Sequence, residues 1–231
     1  MINLETERLY FRELTDDDFD NLKAVISDPY IMKYYKEPYN DEGVLRWIKW
    51  CKASYAKRGF GLWALIRKED NKFIGDCGIS MQDINGKEVP EIGYHIHSDY
   101  WRKGYASEAS GACKKWLFEN TDFEEVYSYM NADNVGSYSV AIKNGMKLVE
   151  EYVHEGVPHK VYRITKKEYF DLMNKEWNEY EKEIDINRLE ELKNNAESTV
   201  CSRTNFLGCA DGKFEVPENF DDMDLSEEFD V

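Results

Sequence analysis

No run of apolar residues in this 231-residue chain approaches the roughly 20 that a membrane-crossing helix needs. The opening stretch, Met1-Ile2-Asn3-Leu4-Glu5-Thr6-Glu7, is not a signal peptide. A cytoplasmic protein without a membrane partner is therefore expected. Cysteine is scarce: Cys51, Cys77, Cys113, Cys201 and Cys209 are scattered with no Cys-x-x-Cys pair. That spacing argues against a zinc site and a disulfide framework and favours reduced, buried thiols. Histidine is scarcer still, and although His95 and His97 share one strand face at i, i+2, no third ligand accompanies them, so no metal is expected. Repeats at the periods of solenoids or propellers are absent. Positive charge is also in deficit, with 30 Lys and Arg against 46 Asp and Glu, net −16. From Lys167 onward there are 7 basic and 19 acidic residues, so the first 166 residues carry only −4. The asymmetry speaks against nucleic acid as a partner and marks an acidic tail.

What is present is enough for one substantial core plus an appendage, on a prior of roughly 100–200 residues per domain. Arg8 to Arg12 has the pattern of a first strand. Thr15, followed by Asp16, Asp17 and Asp18, is an N-cap with acids in the first turn of a helix that Asp28-Pro29 ends. An aromatic connector, Tyr30 to Tyr39, leads to a second helix capped by Asn40 or Asp41 and stopping near Gly59. Residues 60–97 change period and predict three strands, the second and third joined by an Asn85-Gly86 hairpin turn. A helix, a strand at Val126 to Met130, a short helix from Asn134 or Ser137 to Asn144-Gly145, and two last strands complete an α/β arrangement with a mixed sheet. The last strands, Lys147 to Val153 and Lys160 to Ile164, are separated by a loop at 154–158.

The chemically suggestive stretch is Trp101-Arg102-Lys103-Gly104-Tyr105-Ala106-Ser107-Glu108-Ala109, where a strand passes through a glycine-containing turn into a helix. Backbone N–H groups at such a helix start have no intrahelical acceptor and attract phosphate. Arg102 and Lys103 add positive charge, and the amides of Arg102 to Ser107 are candidate pyrophosphate donors.

Four patterns in order, Thr6-Glu7-Arg8-Leu9, Glu91-Ile92-Gly93-Tyr94, Trp101-x-x-Gly104-Tyr105-Ala106-x-Glu108-Ala109, and Asn134-x-x-Ser137 ahead of Gly145-Met146, resemble the GNAT superfamily. More narrowly they resemble its ribosomal-protein N-acetyltransferase branch, the RimJ/RimL type, over residues 4–165. The resemblance implies a GNAT fold, a mixed and mostly antiparallel sheet flanked by helices. It also implies transfer of acetyl from acetyl-CoA to a primary amine, either a protein N-terminus or a small molecule, by direct attack in a ternary complex. On this reading the pantetheine arm lies beside Tyr94, His95 and Ile96, with the amide near Tyr94 or His95 as oxyanion donor. Gly104, Tyr105, Ala106 and Ser107 join Arg102 and Lys103 at the pyrophosphate. Asn134 and Ser137 face the cofactor, with Ser137 offering a hydroxyl to the coenzyme A sulfur, while the tyrosine many relatives carry four residues before the glycine is replaced by Ala141. The general base falls on Glu155, where the branch often has a glutamate between its last strands, with Glu91 as rival and His154 third. Tyr34, Tyr35, Tyr39 and Trp47 belong to the acceptor side by the same analogy.

The expected organisation is a catalytic domain at 1–165, an amphipathic helical extension at 166–195 and an acidic tail at 196–231. Phe170, Met173, Trp177, Tyr180 and Ile184 are spaced 3, 4, 3, 4, a stripe suited to docking on the domain or to a homodimer. Asp211 to Val231 holds nine acids against one lysine and is expected to be disordered. Within the 196–231 tail, Phe206-Leu207-Gly208-Cys209, Gly212-Lys213-Phe214-Glu215-Val216-Pro217, Phe220-Asp221 and Glu228-Phe229 resemble toxin-binding tails of type II antitoxins, which implies a basic protein partner.

Overall fold

The computed structural model describes residues 2–183, with side chains to Lys175. The end of the 166–195 segment and the whole of the 196–231 tail lie outside the described residues. Eight strands form one sheet: β1 (Leu4–Glu5), β2 (Leu9–Arg12), β3 (Leu62–Arg67), β4 (Lys72–Ile84), β5 (Lys87–Ile96), β6 (Glu125–Asn131), β7 (Lys147–His154) and β8 (Val157–Thr165). Their spatial order is β1-β2-β3-β4-β5-β6-β8-β7. Five helices accompany them: α1 (Phe19–Ile26), α2 (Asp41–Arg58), α3 (Tyr105–Asn120), α4 (Val135–Lys143) and α5 (Lys166–Glu183). All pairings are antiparallel except β5 with β6, which α3 joins by a parallel crossover. This is the mixed sheet that the sequence pattern predicts, and the mostly antiparallel pairing flanked by helices that the resemblance implies.

Strand alternation sorts the apolar residues of β3 into two cores. Trp63 and Leu65 point to one face, where they meet Cys113, Leu117 and Phe118 of α3 and Tyr169 of α5. Leu62, Ala64 and Ile66 point to the other, against Leu22 and Val25 of α1 and Val44 and Ile48 of α2. Because both faces are covered, β3 is apolar throughout instead of alternating with polar residues. A buried leucine or isoleucine here stabilises the fold by about 1.5–3 kcal/mol.

The caps are local chemistry that the sequence announces. Asn40 Oδ1 accepts the Gly43 N–H at 2.9 Å and Gly59 ends α2 at φ +77°, and Asn134 Oδ1 accepts the Ser137 N–H at 3.2 Å to start α4. The expected loop at 154–158 is instead a two-residue turn. His154 pairs with Val157 and Val153 with Pro158, leaving only Glu155 and Gly156, both at positive φ, to reverse the chain. A two-residue turn of that twist matches the flanking strands, so the ladder extends further than the polar residues suggest. At the start of α5, Phe170 and Met173 pack on the core of the α3 face, while Trp177 and its successors in the stripe have no described side chains.

One departure from regularity positions the site. β5 and β6 share a single registered pair, Glu91 with Tyr127, and beyond it β5 continues to Ile96 without a ladder partner on that side. The Ile92 carbonyl accepts Ser128 Oγ–H at 3.3 Å and the Ile96 carbonyl accepts the Trp101 indole N–H at 2.7 Å. On the opposite edge, the His97 N–H donates to Ile74 of β4 at 2.9 Å. Since N–H and C=O of one strand residue point to the same edge and alternate along the chain, Tyr94 directs its amide into the gap. His95 directs its own toward β4.

Candidate active site

At one end of the gap lies the 101–109 turn. Arg102 and Gly104 both have positive φ, +58° and +79°, and Gly104 precedes the first residue of α3. The first intrahelical bond is Glu108 N–H to Gly104 C=O at 3.0 Å. Among the described residues, the amides of Arg102 through Ser107 make no hydrogen bond, and no side chain caps the helix. These donors face one helix start, with Arg102 and Lys103 exposed beside them.

The turn is held from behind by the chain's beginning. The Arg8 guanidinium meets Glu108 Oε2 at 2.6–2.7 Å and donates to the Lys103 carbonyl at 2.8 Å. The Arg8 backbone N–H donates to Glu108 Oε1 at 3.0 Å, and Thr6 Oγ donates to the same oxygen. Arg8 also lies 4.6 Å from the Tyr105 ring centre. The Thr6-Glu7-Arg8 and Glu108 patterns, 100 residues apart, are thus two halves of one clamp. Trp101 turns away from the anion side, with its indole N–H on Ile96 and its ring stacked on Tyr30 at 5.2 Å.

Along the gap, Tyr94 Oη lies 3.1 Å from Ser137 Oγ and donates to the Ser137 carbonyl at 3.3 Å, joining β5 to the first turn of α4. Burial holds the Tyr94 phenol above its ordinary value. A small cavity opens beneath, lined by Ile92, Tyr94, Ser110, Ser128, Ala141 and Asn144. Tyr138 does not face it; its ring stacks on Tyr162 and lies under the Lys160 ammonium.

On the other sheet face Glu91 is only 7% exposed and accepts a hydrogen bond from Ser80 Oγ at 3.1 Å. Burial pushes its carboxyl up to about 7, against the opposing effects of Ser80, His95 and a backbone bond from Tyr129. Two residues on, Gly93 leaves space over it, since a Cβ there would sit 3.1 Å from Glu91 Oε2. Further along the same face His95 is buried between Asp76 and Tyr35: Nδ1 is 2.8 Å from Asp76 Oδ1, and Nε2 is 2.8 Å from Tyr35 Oη. The Trp47 indole N–H donates to Asp76 Oδ2 at 3.0 Å, and Trp47 meets Tyr39, Trp50 and His95 edge-on or tilted.

The structure therefore brings together Glu91, Tyr94, His95, Ser137, Tyr35, Tyr39 and Trp47 around the gap. Tyr34 lies apart, under the Lys33 ammonium at 4.9 Å. Glu155 is an exposed hairpin tip at φ +49°. His154 is likewise exposed, near His159 and Tyr152. His97 accepts the Asp99 N–H at 3.3 Å and so caps a short turn. Among the described residues, no three His, Cys, Asp or Glu side chains converge as metal ligands. Asp76 was not foreseen from the sequence. A lone acid in Ile74-Gly75-Asp76-Cys77-Gly78-Ile79, inside an otherwise apolar strand, is the signal that could have found it.

A sheet that splays between two parallel neighbours, with a helix start of free amides at the end of the splay, suits a phosphate-bearing cofactor. Residues 8–147 match the family described as "Acetyltransferase (GNAT) domain", and the chain belongs to that family. It is 33% identical over 144 residues to YkkB of Bacillus subtilis, covering 62% of this chain and 84% of the relative. It is 27% identical over 171 residues to the N-acetyltransferase YoaA of the same organism, covering 71% and 96%. A crystal structure of an acetyltransferase from Agrobacterium tumefaciens aligns with TM-score 0.63 at 26% identity, covering 71% of this chain and 94% of that one. Among the described residues, no helix is long and apolar enough to cross a membrane.

Proposed function

We propose that the protein moves the acetyl group of acetyl-CoA to a primary amine by direct attack, on the RimJ/RimL pattern that its motifs resemble. The observation that carries this reading is Glu91, a buried carboxyl pushed up to about 7 on the one strand whose edge opens into the gap. A group titrating there takes a proton from an ammonium at neutral pH far better than an ordinary surface carboxylate does. Glu91 is accordingly the general base, directly or through one water, in preference to the exposed Glu155.

The remaining roles follow from position. The amides of Arg102 to Ser107 hold the pyrophosphate, with the Arg8–Glu108 clamp keeping Gly104 in place. The Tyr94 N–H faces the developing charge on the acetyl oxygen, a donor of the kind that contributes about 2.7–4 kcal/mol to acyl transfer. As the amine nitrogen bonds to the acetyl carbon and the carbon–sulfur bond breaks, the Tyr94–Ser137 hydroxyl pair supplies a proton to the thiolate. The acceptor enters over Tyr35, Tyr39 and Trp47, whose rings suit a cation.

The test is thiol release from acetyl-CoA measured against a panel of primary amines, paired with calorimetric titration of the cofactor. Amine-dependent release is expected, lost in Glu91→Gln without loss of cofactor binding. Cofactor binding with no amine-dependent release across alkyl amines, polyamines and N-terminal peptides would sink the proposal.

A further inference from the structure

Asp76 is fully buried in a strand of glycines and apolar residues, which is a costly place for a carboxylate unless something uses it. Both its oxygens are engaged, Oδ1 with His95 Nδ1 at 2.8 Å and Oδ2 with the Trp47 indole N–H at 3.0 Å. An ionised carboxylate only accepts hydrogen bonds, so the imidazole proton sits on Nδ1 and the Nε2 lone pair points the other way. The Tyr35 hydroxyl, 2.8 Å from Nε2, must then donate to it. The direction of the chain is fixed, and the Tyr35 oxygen keeps lone pairs free for a further donor.

We propose that Tyr35, His95 and Asp76 form a proton relay on the acceptor side, with Tyr35 Oη touching the attacking amine, His95 receiving the proton and Asp76 positioning His95. The proposal rests on the transferase reading above. The network ends at the Tyr35 hydroxyl, and Tyr35 itself, 46% exposed as a whole, joins that hydroxyl to the surface near the half-buried Tyr39. The hydroxyl end of Tyr35 lies deep, and burial, with the Glu91 and Asp76 carboxylates, holds its phenol well above the ordinary value. Tyr35 is therefore a poor base alone and passes a proton only as it gives one up.

The relay answers a need of proton balance. An ammonium loses two protons on becoming an amide, while the proton that the departing sulfur takes comes from the Tyr94–Ser137 pair, which water restores, so one proton is released overall. Glu91 has room for one. The other moves from the amine nitrogen to Tyr35 Oη while the Tyr35 proton moves to His95 Nε2, leaving an imidazolium against Asp76. After product leaves, the imidazolium returns its proton through Tyr35 Oη to water that takes the amine's place. The titratable groups around the relay are Asp76 on β4, Glu91 on β5, Tyr39 in the connector, Tyr129 on β6 and the Cys51 thiol on α2.

The experiment compares full-length wild type, Tyr35→Phe and Asp76→Asn with spermine, an alanyl peptide and benzylamine as acceptors. Tyr35→Phe is expected to lower kcat about tenfold or more, with the acceptor KM within about threefold and acetyl-CoA affinity unchanged. Proton NMR of the wild type should show one far-downfield imidazole N–H, displaced in Tyr35→Phe and lost in Asp76→Asn, as hydrogen bonding between an imidazole and a carboxylate requires. A Tyr35→Phe enzyme within twofold of wild-type kcat overturns the relay while the transferase reading stands. No acetyl transfer by wild type to any of the three amines overturns both.

Discussion

Replacing Glu91 by glutamine separates catalysis from stability. In the folded protein burial holds the carboxyl at about 7, against an ordinary value of 4.5. The protonated form is thus the one the fold prefers. Between pH 4.5 and 7 the folded state binds more protons than the unfolded state, so stability falls as pH rises through this window and is fully reduced above it. A rise of that size corresponds to about 3 kcal/mol, taken as an upper figure because a buried site relaxes. Glutamine is neutral at every pH and its carbonyl can still accept from Ser80 Oγ. Glu91→Gln should therefore match wild type near pH 4.5 and exceed it by about 2–3 kcal/mol at pH 8, while losing most amine-dependent turnover. Urea unfolding at closely spaced pH values, monitored by tryptophan fluorescence, reads the difference. The wild-type turnover profile should rise with a midpoint near 7 on its acidic side. A stability difference independent of pH, or a glutamine variant less stable at pH 8, would refute the assignment of a buried, proton-binding carboxyl.

Three further substitutions probe the frame of the site. Gly104→Trp places a side chain at φ +79° among the free amides; backbone strain costs about 1–2 kcal/mol, so melting should shift modestly while calorimetry shows acetyl-CoA affinity reduced at least about tenfold. Glu108→Ala removes the acceptor of Thr6 and of the Arg8 amide and guanidinium, so about 2–3 kcal/mol of stability should be lost. Acetyl-CoA affinity should weaken with it, and lost stability at unchanged affinity would mean that the clamp does not hold the turn. Gly93→Ala sets a methyl 3.1 Å from Glu91 Oε2, so kcat should fall while cofactor affinity, measured at the distant turn, stays within about twofold.

Features encoded locally were legible in the sequence. Asn40, the Asn85-Gly86 turn, Asn134 and Gly104 each state their geometry within four residues, because a cap or a positive-φ turn depends on little else. Seven of the eight strands and the fold class could be read for the same reason, since period and turn residues agree, whereas the two-residue β1 carries too little pattern to show. The meeting of Tyr35 with His95 and of Asp76 with Trp47 could not, because those contacts span 60 and 29 residues and depend on how the connector and α2 pack on the sheet. The 154–158 segment misled because its polar residues suggest a loop, whereas cross-strand pairing recruits His154, Val157 and Pro158 into the ladder. In the sequence the resemblance ranks Glu155 ahead of Glu91 as base. Burial sets them apart, and burial belongs to the assembled sheet.

The clamp between the first strands and α3 also bears on how the protein is made. Arg8 leaves the ribosome 100 residues ahead of its partner Glu108. At about 5–20 residues per second that is a wait of roughly 5–20 s, and closing such a loop costs roughly 4 kcal/mol of chain entropy before any contact repays it. Capacity to hold the cofactor should then arise late and all at once in synthesis. A ligand that grips the turn would help pull this long closure to completion, making acetyl-CoA a folding aid for the nascent enzyme as well as its acyl donor.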